Sequence, residues 1–205
     1  MKSYEIVRAL KKKYPKAKTE LKHTNVFELL IATILSAQTT DKTVNAVSKE
    51  LFKNYPDAFS LAKADIKDVE GIIKPTGFYH QKAKYIIETS KILVERFNGR
   101  VPDDMNDLLS LKGVSRKTAN VVLSNGFGKA CGIVVDTHVK RLSNRTGWSK
   151  SNDVKKIEED LMRIFDKKDW AYVSNALVLH GRYVCIAKKP MCERCVIEKW
   201  CEKNI

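Results

Sequence analysis

Apolar residues recur at helical spacing along almost the whole chain, and strand-type alternation is nearly absent. In VFELLIATILSAQ, the residues Val26, Phe27, Leu30, Ile31, Ile34 and Leu35 cover most of the circumference, which predicts a helix buried on several sides and capped by Asn25. Asp41 opens an amphipathic helix with Val44, Val47, Leu51 and Phe52 on one face, stopped by Pro56. The same spacing returns in KAKYIIETSKILVERF, DMNDLLSL, SRKTANVVLSNGF and DVKKIEEDLMRIF. Only GIVVD reads as extended, and it is short. The pattern predicts an all-α chain, with no low-complexity tract and no visible linker between lobes.

One weak internal echo stands out. VEGIIKPTGFYHQKAKYI and LLSLKGVSRKTANVVL each place a Gly-bearing turn before a helix with a lysine in its first turn. In the second segment, a short helix from Asp107 runs into a tight turn at Gly113, and another helix begins near Ser115 or Arg116. This is a helix-hairpin-helix pattern. Free backbone N–H groups ahead of a helix N-terminus, aided by the helix dipole, suit a DNA phosphate without reading sequence. An ordinary helical hairpin is the alternative. Lys117 falls in the first turn, where the positive end of the dipole and Arg116 favour the neutral, nucleophilic amine. Asp136 ends the run Val134-Val135-Asp136-Thr137-His138, just before a helix through Val139 and Leu142. It suits an N-cap, the commoner role for Asp before a helix, while a carboxylate facing a nucleophilic lysine is also what glycosidic-bond cleavage requires.

Charge narrows the choice of partner. Across 205 residues, 38 Lys plus Arg face 24 Asp plus Glu, a net charge of +14, so a polyanion is the natural partner; lysine-rich surfaces also serve solubility and heat tolerance. No apolar run is long enough to span a membrane, and MKSYEIVRALKKKYP has no apolar signal region. A cytoplasmic or nucleoid-associated protein is expected, with a monomer as the default.

Cys185, Cys192, Cys195 and Cys201 form C-x6-C-x2-C-x5-C in one short, Lys-rich loop. Thiolates suit tetrahedral zinc and iron-sulfur clusters alike. The usual structural zinc pattern has two short knuckles where this chain has one, which leans towards a cubane cluster. Two disulfides would require an oxidising compartment that nothing here indicates. Cys131, in the apolar stretch ACGIVV, is expected to be a small buried hydrophobe.

Taken in order, FELLIATILSAQTTD, LKGVSRKTANVVL, VVDTHVKRLSNRTG and LHGRYVCIAKKPMCERCVIEKWC resemble endonuclease III, the iron-sulfur DNA glycosylase/AP lyase family of the helix-hairpin-helix superfamily, over essentially the whole chain. The resemblance implies a bifunctional enzyme of base excision repair that removes oxidised pyrimidines from damaged double-stranded DNA and cleaves 3′ to the abasic site by β-elimination. Lys117 matches the family's nucleophile and Asp136 its catalytic carboxylate. Gln38 matches the side chain that fills the gap left by an extruded base, and Phe78 sits at the wedge position; capping of a helix end by Gln38 and core packing of Phe78 are the alternatives. Cys185, Cys192, Cys195 and Cys201 match the ligands of a [4Fe-4S] cluster, and their loop presents Lys188 and Lys189 to the phosphate backbone. The implied architecture is two helical lobes. Residues 23–130 make a six-helix lobe bearing the hairpin (about 104–126), and residues 1–22 join 131–205 in a lobe bearing the cluster loop (185–201), with the active site in the groove between them.

The chain departs from the family pattern at two places. The hairpin commonly reads L-P-G-V-G, whereas this chain has Leu111, Lys112, Gly113, Val114 and Ser115. Ser115 keeps its N–H and can cap the second helix, and Lys112 adds charge, so retained DNA binding is expected. Phe78 stands where leucine is common in bacterial members. Two other functions compete: a monofunctional uracil or thymine mismatch glycosylase, and a non-catalytic DNA-binding protein. Relatives without lyase activity carry another residue at the lysine position, and Lys117 argues against that branch.

Overall fold

The computed structural model describes residues 3–204, and among them the regular elements are all helical. The chain divides into two compact units, Met1–Thr19 with Gly128–Ile205, and Glu20–Phe127.

The central unit contains α2 (Val26–Leu35), α3 (Asp41–Asn54), α4 (Ala58–Ala62), α5 (Ile66–Ile73), α6 (Tyr79–Phe97), α7 (Met105–Leu109) and α8 (Arg116–Gly126). That is seven α-helices, where six were expected for this part of the chain. The five-residue α4 is too short to show a period, but it is fixed by a capping box in which Asp57 and Ser60 exchange hydrogen bonds with each other's backbone N–H. Asn25 caps α2 by accepting from Glu28 N at 2.9 Å. Buried all round as its pattern predicts, α2 places Leu30, Ile31 and Leu35 at the centre of the core. Truncating Leu30 or Ile31 to alanine would cost about 2–5 kcal/mol.

The packing of α2 on α8 places two of the candidate site residues. A Cβ on Gly126 would lie 2.9 Å from Val26 Cγ1, so the absence of a side chain there lets the two helices approach. The C-terminal end of α8 thus sits against the N-terminal end of α2, and the helices pack antiparallel. Lys117, at the start of α8, and the Gln38 turn, just beyond the end of α2, consequently fall at the same end of the pair.

The other unit contains α1 (Ser3–Lys13), α9 (Thr137–Thr146), α10 (Val154–Ile164) and α11 (Trp170–Tyr183). Ile6, Val7 and Leu10 of α1 join Val139, Leu142, Ile157, Leu161, Val173 and Leu177 in its core. Trp148 and Phe165 meet edge to face, with ring centroids 5.4 Å apart. GIVVD forms no regular element: Ile133, Val134 and Val135 are buried, and Val134 N donates to Ser174 Oγ at 3.0 Å. Cys131 is exposed, which corrects the expectation of a buried thiol: burial begins one residue later, at Gly132, and Cys131 belongs to the turn before it. No helix among the described residues is long and apolar enough to cross a membrane.

Candidate nucleic-acid interface, catalytic residues and cysteine site

The hairpin is built on α6. Gly113 adopts φ +74°, and a Cβ there would lie 2.8 Å from Tyr85 Cδ2, so both the backbone conformation and the space demand glycine. Thr89 Oγ1 donates to Lys112 O at 2.8 Å and ties the turn to the helix beneath it. Val114 is buried in the core and anchors the loop, while Lys112, Gly113 and Ser115 are exposed. Ser115 caps α8, its Oγ accepting from Thr118 N at 3.2 Å. The serine that departs from the family pattern therefore supplies a cap, as expected.

Lys117 is the second residue of α8, exposed, with no hydrogen bond or ion pair to its amine among the described residues. Gln38 and Phe78 share an unusual backbone state, with φ +54° and +48°. Phe78 is 70% exposed, which excludes the core role offered as its alternative. Gln38 is exposed too, and the cap of α2 is Ser36, so the helix-capping alternative also falls.

In the other unit, Asp136 caps α9: its Oδ1 accepts from His138 N and Val139 N, both at 2.8 Å. Among the described residues Oδ2 accepts no hydrogen bond. Cap and catalytic carboxylate are thus compatible roles, one for each oxygen.

Cys185, Cys192, Cys195 and Cys201 line one cavity with about 410 Å³ of empty space, part of it open to solvent, together with Leu142, Val184, Met191 and Ile197. Among the described residues no group of three His, Cys, Asp or Glu side chains is set to hold a single metal ion. Burial pushes the Cys195 thiol up to about 11, and the other three cysteines push it in the same direction. Burial also raises the Cys201 thiol, and thiols gathered in one cavity ionise readily when a cationic centre is bound there.

The surrounding groups suit that charge state. Lys203 N donates to Cys201 Sγ at 3.4 Å, and His180 Nε2 lies 3.2 Å from Cys195 Sγ. Burial, helped by Lys13, lowers the His180 pKa to about 4, so the ring is neutral. A thiolate at Cys195 accepts from Nε2–H, leaving Nδ1, 3.1 Å from the Tyr14 hydroxyl, to accept the proton of that group. Two arginines of α9 hold the start of the loop: Arg141 donates to Cys185 O at 3.0 Å, and Arg145 donates to Ile186 O and Ala187 O, both at 2.7 Å. Lys188 and Lys189 follow, both exposed.

Residues 31–167 match the family described as HhH-GPD superfamily base excision DNA repair protein. The chain is 49% identical to the Endonuclease III of Synechocystis sp. over 96% of this chain and 90% of that protein, and 42% identical to the Endonuclease III of Thermotoga maritima over 97% and 91%. It also resembles the solved structure of a trapped Endonuclease III-DNA covalent intermediate, with a TM-score of 0.89 and 40% identity over 99% of this chain and 97% of the other. The chain belongs to the HhH-GPD superfamily and, within it, to the endonuclease III family.

Proposed function

We propose that this protein is a bifunctional DNA glycosylase and AP lyase that excises oxidised pyrimidines from duplex DNA. The observation that carries the reading is Lys117: an exposed amine, free of partners among the described residues, in the first turn of the helix that follows the phosphate-binding hairpin. Support comes also from the similarity to an endonuclease III trapped in a covalent intermediate with DNA.

The Lys117 amine attacks C1′ of the flipped nucleotide, and the base departs with the electrons of its glycosidic bond, taking up a proton. The sugar ring opens to a Schiff base between C1′ and Nζ. Loss of a proton from C2′ then expels the 3′ phosphate by β-elimination. Asp136, through its uncommitted Oδ2, stabilises positive charge on the sugar and assists the proton transfers. The exposed Gln38 occupies the gap left by the extruded nucleotide, and the exposed Phe78 wedges the neighbouring stack. Backbone groups of Lys112, Gly113, Val114 and Ser115 hold phosphate, and Lys188 and Lys189 supply further phosphate contacts.

Cys185, Cys192, Cys195 and Cys201 would hold a [4Fe-4S] cluster, a reading supported by their C-x6-C-x2-C-x5-C spacing and by their lining one cavity. Its contribution is to cross-link the loop and so hold the two lysines in place for the phosphate backbone. Substituting Lys117→Ala tests the assignment: strand cleavage is lost while binding and its salt dependence are largely retained. A lysine serving only as a phosphate contact would instead weaken binding and flatten the salt slope.

A further inference from the structure

Lys82 is 4% exposed, yet no carboxylate pairs with it among the described residues. Its Nζ donates to Thr39 Oγ1 at 2.8 Å and to Thr76 O at 2.9 Å. Thr39 Oγ1 in turn donates to the same Thr76 carbonyl, so three groups close into one network. The two threonines lie in different turns: Thr39 follows Gln38 directly, and Thr76 precedes Gly77 and Phe78.

A buried ammonium without a carboxylate partner is a poor choice for stability, because a well-packed apolar side chain of similar volume serves as well or better. What lysine offers is two donors that join chain segments far apart in sequence. Both segments need holding. Gln38 and Phe78 adopt left-handed backbone conformations that such side chains rarely take, and Gly77 before Phe78 also has a positive φ, at +67°. Among the described residues, the other non-glycine residues of this kind are Asn98, in the ordinary position after a helix, and Lys203. Lys82 is itself placed by its N–H, which donates to Phe78 O at 3.0 Å.

We propose that Lys82 is a positioning residue that locks the Gln38 turn to the Phe78 turn, so that the gap-filling and wedging side chains enter the duplex in a fixed mutual register. The proposal rests on the reading that Gln38 and Phe78 are DNA probes. It gives the buried lysine a role in lesion recognition without any contact to DNA, and it separates the two lysines of the internal echo: Lys117 reacts, Lys82 braces.

The test is a double-mutant cycle on the full, cluster-loaded chain. The readout is the ratio of affinities for a duplex carrying a tetrahydrofuran abasic analogue and for the undamaged duplex. Lys82→Met is expected to lower this discrimination about tenfold, within the range of coupling seen for groups in one hydrogen-bond network, with the melting temperature unchanged or raised. In a Gln38→Ala, Phe78→Ala background the same substitution should change it less than about twofold. A Lys82→Met chain that discriminates like the native one, or that loses equally in both backgrounds, overturns the clamp. If removing Gln38 and Phe78 has no effect by itself, the probe reading fails and the clamp with it; if that removal is costly while Lys82→Met is silent, the clamp alone fails. Should Lys82→Met not fold, Thr39→Val removes the shared hydroxyl and carries the same expectations.

Discussion

Asp136 meets Val139 through a 2.8 Å hydrogen bond from the Val139 N–H, and the same oxygen accepts from His138 N. The carboxylate proposed to act in the chemistry is therefore also the group that starts α9. Asparagine caps a helix as well as aspartate does. Asp136→Asn should leave urea-induced unfolding nearly unchanged while base release in single turnover falls by about 10²–10⁴. Asp136→Ala should add a loss of about 1 kcal/mol in stability. Equal stability loss in both variants, or base release unaffected by Asn, would contradict the division of labour.

The hairpin should respond to substitution in two distinct ways. Gly113→Ala forces a Cβ towards the Tyr85 ring at a left-handed backbone position, and should destabilise the protein by about 1–3 kcal/mol. It should weaken binding to damaged and undamaged duplexes alike, because backbone N–H contacts read no sequence. Ser115→Ala removes only the cap of α8 and should cost about 1 kcal/mol. Denaturant titration and fluorescence anisotropy separate the two effects.

The cysteines should divide sharply by position. Anaerobically prepared native chain should contain about four iron and four acid-labile sulfide per chain, following the cubane composition. Cys195→Ala should lose the iron and the loop's resistance to proteolysis. Cys131→Ser, at an exposed position outside the cavity, should retain the full iron content. Stoichiometric zinc without iron in the native chain would refute the cluster.

Lys82 gives stability a pH dependence of definite sign. Burial lowers its pKa below the usual lysine value of 10.5. Between the lowered value and 10.5 the unfolded chain binds more protons than the folded one, so stability gains from Lys82 as pH rises through that window. Below the window the burial penalty is fully present. The stability of the native chain relative to Lys82→Met should accordingly rise as pH approaches 10.5, measured by urea unfolding at a series of alkaline pH values. A difference independent of pH would place Lys82 in contact with solvent.

Much of the local geometry is legible because it rests on short, ordered motifs. The hairpin turn at Gly113, the cap at Ser115 and the cysteine spacing all rest on local geometry that sequence reports directly. Other features depend on what lies across the fold. Helix α11 buries Val173, Ala176, Leu177 and His180 at helical spacing, but Ser174 and Gly181 are buried as well and blur the apolar stripe. Cys131 borders an apolar run yet sits in a turn, one residue before burial begins. For Asp136, cap and catalyst looked like competing roles because residue type cannot show that each oxygen has its own surroundings. Lys82 shared the echo with Lys117 but gave no sign of its burial, since one of its acceptors, Thr39, lies 43 residues away.

The most direct test of the central claim is borohydride trapping on duplex DNA carrying thymine glycol or an abasic site, comparing the native chain with Lys117→Ala. The account predicts a covalent protein–DNA adduct with the native chain and none with the variant. No adduct from native protein shown to hold its cluster and bind the duplex, or an undiminished adduct with Lys117→Ala, would contradict it.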